Sequence, residues 1–69
     1  MLVEKVGKQI KDRRNTLGIT QPDLAEMAGI STNTLYKIET GKANPTLEVL
    51  NSIAEILGME ITMTVKKPG

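Results

Sequence analysis

Thr32 and Asn33, followed one helical turn later by Tyr36 and Lys37, bring together groups that can read the edge of a base pair. The Asn33 amide carries a donor and an acceptor at the spacing of an adenine edge, so it can form two hydrogen bonds at once. The Lys37 ammonium can reach the acceptor atoms of guanine, and Thr32 offers a hydroxyl with a methyl that can meet thymine. Such chemistry works only if all four side chains leave one face of a rigid element. The opposite face of that element must be buried.

Leu35 and Ile38 meet the second condition. At about 100° per residue a helix that turns these two inward points Asn33, Lys37 and Thr40 directly outward. Tyr36 then lies on the flank and Thr32 at the N-terminal tip. Ser31 caps this helix, because its hydroxyl can accept a free backbone N–H in the first turn, and Gly41 ends it.

Three further helices are legible around it. Val3, Val6, Ile10 and Leu17 recur at helical spacing, with Arg14 on the same stripe, and Gly18 stops the pattern. Thr20 caps a short second helix, Pro22 is tolerated in its first turn, and Asp23 suits its positive end. Leu24, Ala25 and Ala28 form its inner face before Gly29. Asn44, Pro45 and Thr46 make a turn and a cap; Leu47, Leu50, Ile53, Ala54 and Leu57 trace a fourth apolar face that closes at Gly58. Gly7 alone among these glycines lies mid-helix. There it costs about 1 kcal/mol relative to alanine, which implies a neighbour too close for a Cβ.

After Gly58 the period shortens to two. Met59, Ile61, Met63 and Val65 alternate with Glu60, Thr62, Thr64 and Lys66, which reads as one strand. A lone strand leaves its backbone unpaired, so its partner is expected to be the same segment of a second subunit. The tail from Lys66 to Gly69 is polar and has no clear pattern.

The stretch from Gln21 to Thr40 meets the needs of a helix-turn-helix. Ala25 is small where two helices approach, Gly29 permits the sharp turn, and Leu24, Ile30, Leu35 and Ile38 lock the unit to the core. An αα-corner without a nucleic-acid role could share that pattern. Residues 3 to 57 go further. With Arg14-Asn15-Thr16-Leu17-Gly18-Ile19-Thr20-Gln21 before the motif, and Ile38-Glu39-Thr40-Gly41-Lys42 and Pro45-Thr46-Leu47 after it, the chain resembles the phage-repressor-like family of Cro and cI, the XRE-type helix-turn-helix proteins.

That resemblance implies a mainly α, four-helix lambda-repressor-like domain. It implies that Arg14 pairs with Glu39 as a structural ion pair and that Gln21 contacts phosphate while bracing the recognition helix. Thr40, Lys42 and Asn44 would meet the backbone of the other DNA strand. Thr32, Asn33, Tyr36 and Lys37 would be the readers, since the start of such a helix lies in the major groove. The segment Gly58 to Val65 is similar to the tail of HipB-like antitoxins, whose strands pair across the dimer, and this implies Met59, Ile61, Met63 and Val65 as dimerisation residues and a HipA-like kinase toxin as partner. The expected organisation is a DNA-binding domain over 1–58 and a dimerisation strand with a polar tail over 59–69.

The expected function is therefore a homodimeric repressor on an inverted-repeat double-stranded operator, doubling as an antitoxin. A stand-alone phage-type or controller repressor and a protein-interaction module are the alternatives. With 69 residues and 39% apolar content, one small aliphatic core is expected, and Tyr36 is the only aromatic residue. The net charge of +1 decides nothing about a nucleic-acid partner. With no Cys and no His, zinc fingers, disulfides and the usual nucleophile–base pairs are absent, so no enzyme, metal or cofactor is expected. Asp23 and Glu26 read as helix-dipole partners. Neither a signal peptide nor a membrane span is legible, which makes the cytoplasm the expected compartment, and no residues are left over for an effector domain.

Overall fold

A computed structural model describes residues 2–67. Met1 and the Pro68-Gly69 end of the polar tail lie outside the described residues. The chain folds as α1 (Leu2–Thr16), α2 (Gln21–Ala28), α3 (Thr32–Glu39) and α4 (Leu47–Ile56). Each of the three later helices starts on a hydroxyl cap. Thr20 accepts from the N–H of Asp23, Ser31 from that of Thr34, and Thr46 from that of Val49. Each cap residue is extended while its side chain satisfies an otherwise orphaned donor, which is why Thr and Ser mark these starts.

Gly29 closes α2 in the left-handed conformation, at φ 72°. Its N–H returns to the carbonyl of Glu26 and that of Ile30 to Ala25. A Cβ would be strained there, so the tight turn that sets α3 across α2 depends on glycine. Helix α3 then packs on both α1 and α2, and α2 packs on α4.

The core is aliphatic throughout. Ile10, Leu24, Ala25, Leu35, Ile38, Ile53 and Leu57 form one buried cluster, and Val6, Ile19, Ile30, Val49, Leu50 and Met59 pack around it. Helix α1 comes unusually close to the end of α3 at Gly7. A Cβ built there would lie 2.9 Å from the Glu39 carbonyl oxygen and would also strike that of Ile38.

Three expectations differ from this structure. Leu17 is 42% exposed because α1 ends at Thr16; the chain has left the helical phase, and Ile19 covers the core instead. Leu47 is 72% exposed. It is the first residue after the Thr46 cap, at the edge of the apolar stripe, and Val49 and Leu50 cover the core from that turn.

The strand expected over Met59 to Val65 is not formed. Among the described residues no strand is present, and a single chain offers this segment no second strand to pair with. Met59 is half-buried, its N–H bonded to the Ala54 carbonyl at 2.8 Å. Further along, Met63 and Val65 are almost wholly exposed.

Candidate nucleic-acid interface

Behind α3 sits a buried polar knot. Arg14 donates from Nε to Glu39 Oε2 at 2.7 Å and from Nη2 to Oε1 at 3.0 Å, so the pair is bidentate. Its Nη1 donates to the Ile19 carbonyl at 2.9 Å, and Gln21 Nε2 donates to Glu39 Oε1 at 3.0 Å. Arg14 and Glu39 are both buried. No buried side-chain nitrogen or oxygen among the described residues lacks a partner, so these charges are fully compensated. The knot ties α1, the loop before α2, the start of α2 and the end of α3 to one another.

With Leu35, Ile38 and Glu39 buried, α3 turns its other side to solvent. Thr32, Asn33, Tyr36 and Lys37 are all exposed on it. Their groups are strong hydrogen-bond donors and acceptors or, for Tyr36, an aromatic surface. What these groups can offer is recognition through hydrogen bonds and an aromatic face; among the described residues no group of three or more Asp, Glu, His or Cys side chains could hold a metal.

The residues expected to meet a phosphate backbone are dispersed. Gln21 is half-buried and its amide nitrogen is engaged by Glu39. It still has one amide N–H and its amide oxygen to offer, with the backbone N–H at the first position of α2, where no intrahelical partner exists. Thr40 is exposed, but its hydroxyl donates back to the carbonyl of Tyr36 at 2.8 Å, with that of Lys37 at 3.3 Å. Lys42 lies with its ammonium 5.6 Å from the centre of the Tyr36 ring. Asn44 is exposed beside α1, where it lines a small apolar pocket with Val3, Val6, Pro45 and Leu50. Gln21 and Lys42 thus join α3, one through Glu39 and one through Tyr36; Asn44 does not.

The sequence gives little sign of two further side chains, one that braces the start of α3 and one that holds the end of α4. Thr34 accepts from the Ser31 hydroxyl at 2.8 Å, so the cap that starts α3 is itself braced. The only signal is a hydroxyl residue three positions after the cap. Arg13 donates from Nε to the Leu57 carbonyl at 2.9 Å and so closes the C-terminal end of α4. It stands beside the apolar stripe of α1 and reads as a surface charge.

The family pattern described as helix-turn-helix matches residues 10–63. A putative HTH-type transcriptional regulatory protein of Methanocaldococcus jannaschii is 42% identical over 55 residues, which is 80% of this chain and 17% of that protein. The immunity repressor protein of Bacillus phage phi105 is 38% identical over 60 residues, 87% of this chain and 42% of the repressor. Both relatives are thus much longer than the region they share with this chain. Among solved structures, the restriction-modification controller protein C.AhdI from Aeromonas hydrophila superposes with a TM-score of 0.80 at 26% identity, covering 84% of this chain and 88% of the controller.

Proposed function

This chain belongs to the helix-turn-helix family, and on that premise we propose that it is a sequence-specific DNA-binding transcriptional repressor that acts as a homodimer on an inverted-repeat operator. The observation that carries the reading is the division of α3. Its buried side is locked by Leu35, Ile38 and the Arg14–Glu39 pair, while Thr32, Asn33, Tyr36 and Lys37 stand free on the other. A recognition helix needs this arrangement, because base contacts discriminate only if the helix carrying them is held in one register.

In this reading Thr32 and Asn33, at the start of α3, enter the major groove first, with Lys37 one turn behind. Asn33 bonds an adenine edge and Lys37 the acceptors of guanine. The N-terminal end of α2 at Gln21, with Thr40, Lys42 and Asn44, positions the domain on phosphates. A phage immunity repressor and a controller protein among the similar chains support the stand-alone repressor form of this function.

The direct test is a gel shift with the duplex upstream of the chain's own gene. A retarded species is expected at low salt, weakening steeply as salt rises; no retarded species at low salt removes the reading. In the same assay Asn33→Ala is expected to cost about 1–3 kcal/mol on the preferred duplex and to relax preference at one base pair. Equal loss on every duplex would make Asn33 a backbone contact instead. Unchanged thermal unfolding keeps the comparison clean.

Residues 59–69 supply the dimer in this reading. Met63 and Val65 lie exposed on an alternating segment that has no pairing in a single chain, and an intersubunit ribbon would pair its backbone and cover its apolar side. Two readers related by a two-fold axis fit half-sites about one helical turn apart. Removing residues 59–69 is expected to give a monomer or weak dimer with poor operator affinity. Sedimentation that shows an unchanged dimer would refute the ribbon. A second reading, that of a HipB-like antitoxin, is implied by the resemblance of the segment Gly58 to Val65 to the tail of those proteins. Binding of a purified HipA-like kinase from a neighbouring gene is its test, and no binding removes it.

A further inference from the structure

The α3–α4 turn sends Lys42 back over the helix it has just left. Thr40 N–H bonds the Tyr36 carbonyl at 3.0 Å, Gly41 N–H that of Ile38 at 3.2 Å, and Lys42 N–H that of Lys37 at 2.8 Å. This closure fixes the backbone of Lys42 to the last turn of α3. The side chain then lies along the flank, and its ammonium sits 5.6 Å from the centre of the Tyr36 ring. That distance falls within the range of a cation–π contact. Both residues belong to the solvent-facing side of the motif, and Tyr36 is 45% exposed.

We propose that Lys42 is the positioning residue for Tyr36, and that the ring so held reads the C5-methyl group of a thymine on the flank of α3. This rests on the DNA-binding function above and goes beyond it: Lys42 contributes to sequence preference as well as to charge. An unheld tyrosine on a helix flank must lose rotamer freedom when it docks, and a ring already fixed by the ammonium loses less. The thymine methyl is the one apolar mark in the major groove, and an aromatic ring is a suitable surface to pack on it. An ammonium has three donors, so the one directed at the ring leaves others for a phosphate.

The pairing can be seen without DNA. The Lys42 ε-methylene protons are expected to be shifted upfield by the ring in the NMR spectrum of the native chain and of Tyr36→Phe, but not of Tyr36→Leu. Its role is then read by selecting duplexes from a randomised library and replacing each conserved thymine with deoxyuridine, which removes only the methyl. One such replacement removes one buried methyl and is expected to weaken binding of the native chain by roughly two- to five-fold. Lys42→Ala should lose most of that sensitivity, Tyr36→Leu all of it, and the double variant no more than Tyr36→Leu. Lys42→Arg, which can also stack on the ring, should restore it.

An equal loss for Lys42→Ala on every duplex, with the uracil effect unchanged, would make Lys42 a plain phosphate contact and overturn the proposal. So would an absent ring-current shift in the native chain. A native chain that retards no duplex at low salt would overturn the DNA-binding function itself, and the pair's role with it.

Discussion

Glu39→Ala is expected to destabilise the chain by about 3–5 kcal/mol, enough to leave much of it unfolded at room temperature. The Glu39 carboxylate accepts two hydrogen bonds from Arg14 and one from Gln21. Removing it strands a buried guanidinium with one remaining partner, the Ile19 carbonyl. An uncompensated buried charge costs far more than the net worth of the pair that contained it. A single core in a chain of 69 residues rarely supplies more than about 3–5 kcal/mol, so no reserve covers the loss.

The control is the double substitution Arg14→Met with Glu39→Met. It removes both charges and leaves apolar bulk, and it should be less damaging than Glu39→Ala alone. Urea denaturation followed by circular dichroism measures all three chains. A loss below about 1 kcal/mol for Glu39→Ala would put the pair in the class of surface ion pairs and contradict its burial. The Lys8–Asp12 pair of α1 belongs to that class; both side chains are well exposed and its removal should cost under about 0.5 kcal/mol.

The same knot marks how far local sequence reasoning reaches. The caps at Thr20, Ser31 and Thr46 are legible because each is settled within three residues by a hydroxyl and the N–H it accepts. The division of α3 is legible from period alone, since Leu35 and Ile38 fix its phase. Arg14 and Glu39 stand 25 residues apart, and only the likeness to a family links them before the fold is known. Gln21 as a third member was expected as a brace, but its partner was not legible. The contact of Lys42 with Tyr36 depends on how the turn at Gly41 reverses the chain, which residue types alone do not specify.

A periodic pattern misleads where it runs past the element that produces it. Leu17 fits the stripe of α1 only if the helix continues, and it stops one residue earlier. Leu47 fits the stripe of α4, but the first turn of a helix can overhang the core it covers. The segment after Gly58 is a different case. Its alternation is a property of the sequence, yet a strand exists only as part of a ladder, and the partner strand must come from elsewhere.

Gly7→Ala is the second large effect expected, and its sign is what tests the packing. Glycine inside a helix costs about 1 kcal/mol relative to alanine, so on propensity alone the substitution should stabilise α1. The new Cβ, however, meets the carbonyl of Ile38 and lies 2.9 Å from that of Glu39. These are backbone atoms of α3, which cannot rotate aside as a flexible side chain would. Helix α1 must move away from the end of α3, and overpacking of this kind costs about 1–3 kcal/mol or more. The displacement also falls on Glu39, so it loosens the carboxylate that holds Arg14 and Gln21. Because the clash is with backbone, the upper end applies; about 3 kcal/mol less the ~1 of propensity leaves a net loss of about 2 kcal/mol, with weaker duplex binding from a shifted α3. Lys11→Gly against Lys11→Ala, at an exposed position of the same helix, isolates the propensity difference, because neither residue meets an opposing backbone. If Gly7→Ala instead raised the urea midpoint, α1 and α3 would not approach as described, and the placement of the recognition helix against α1 would have to be redrawn.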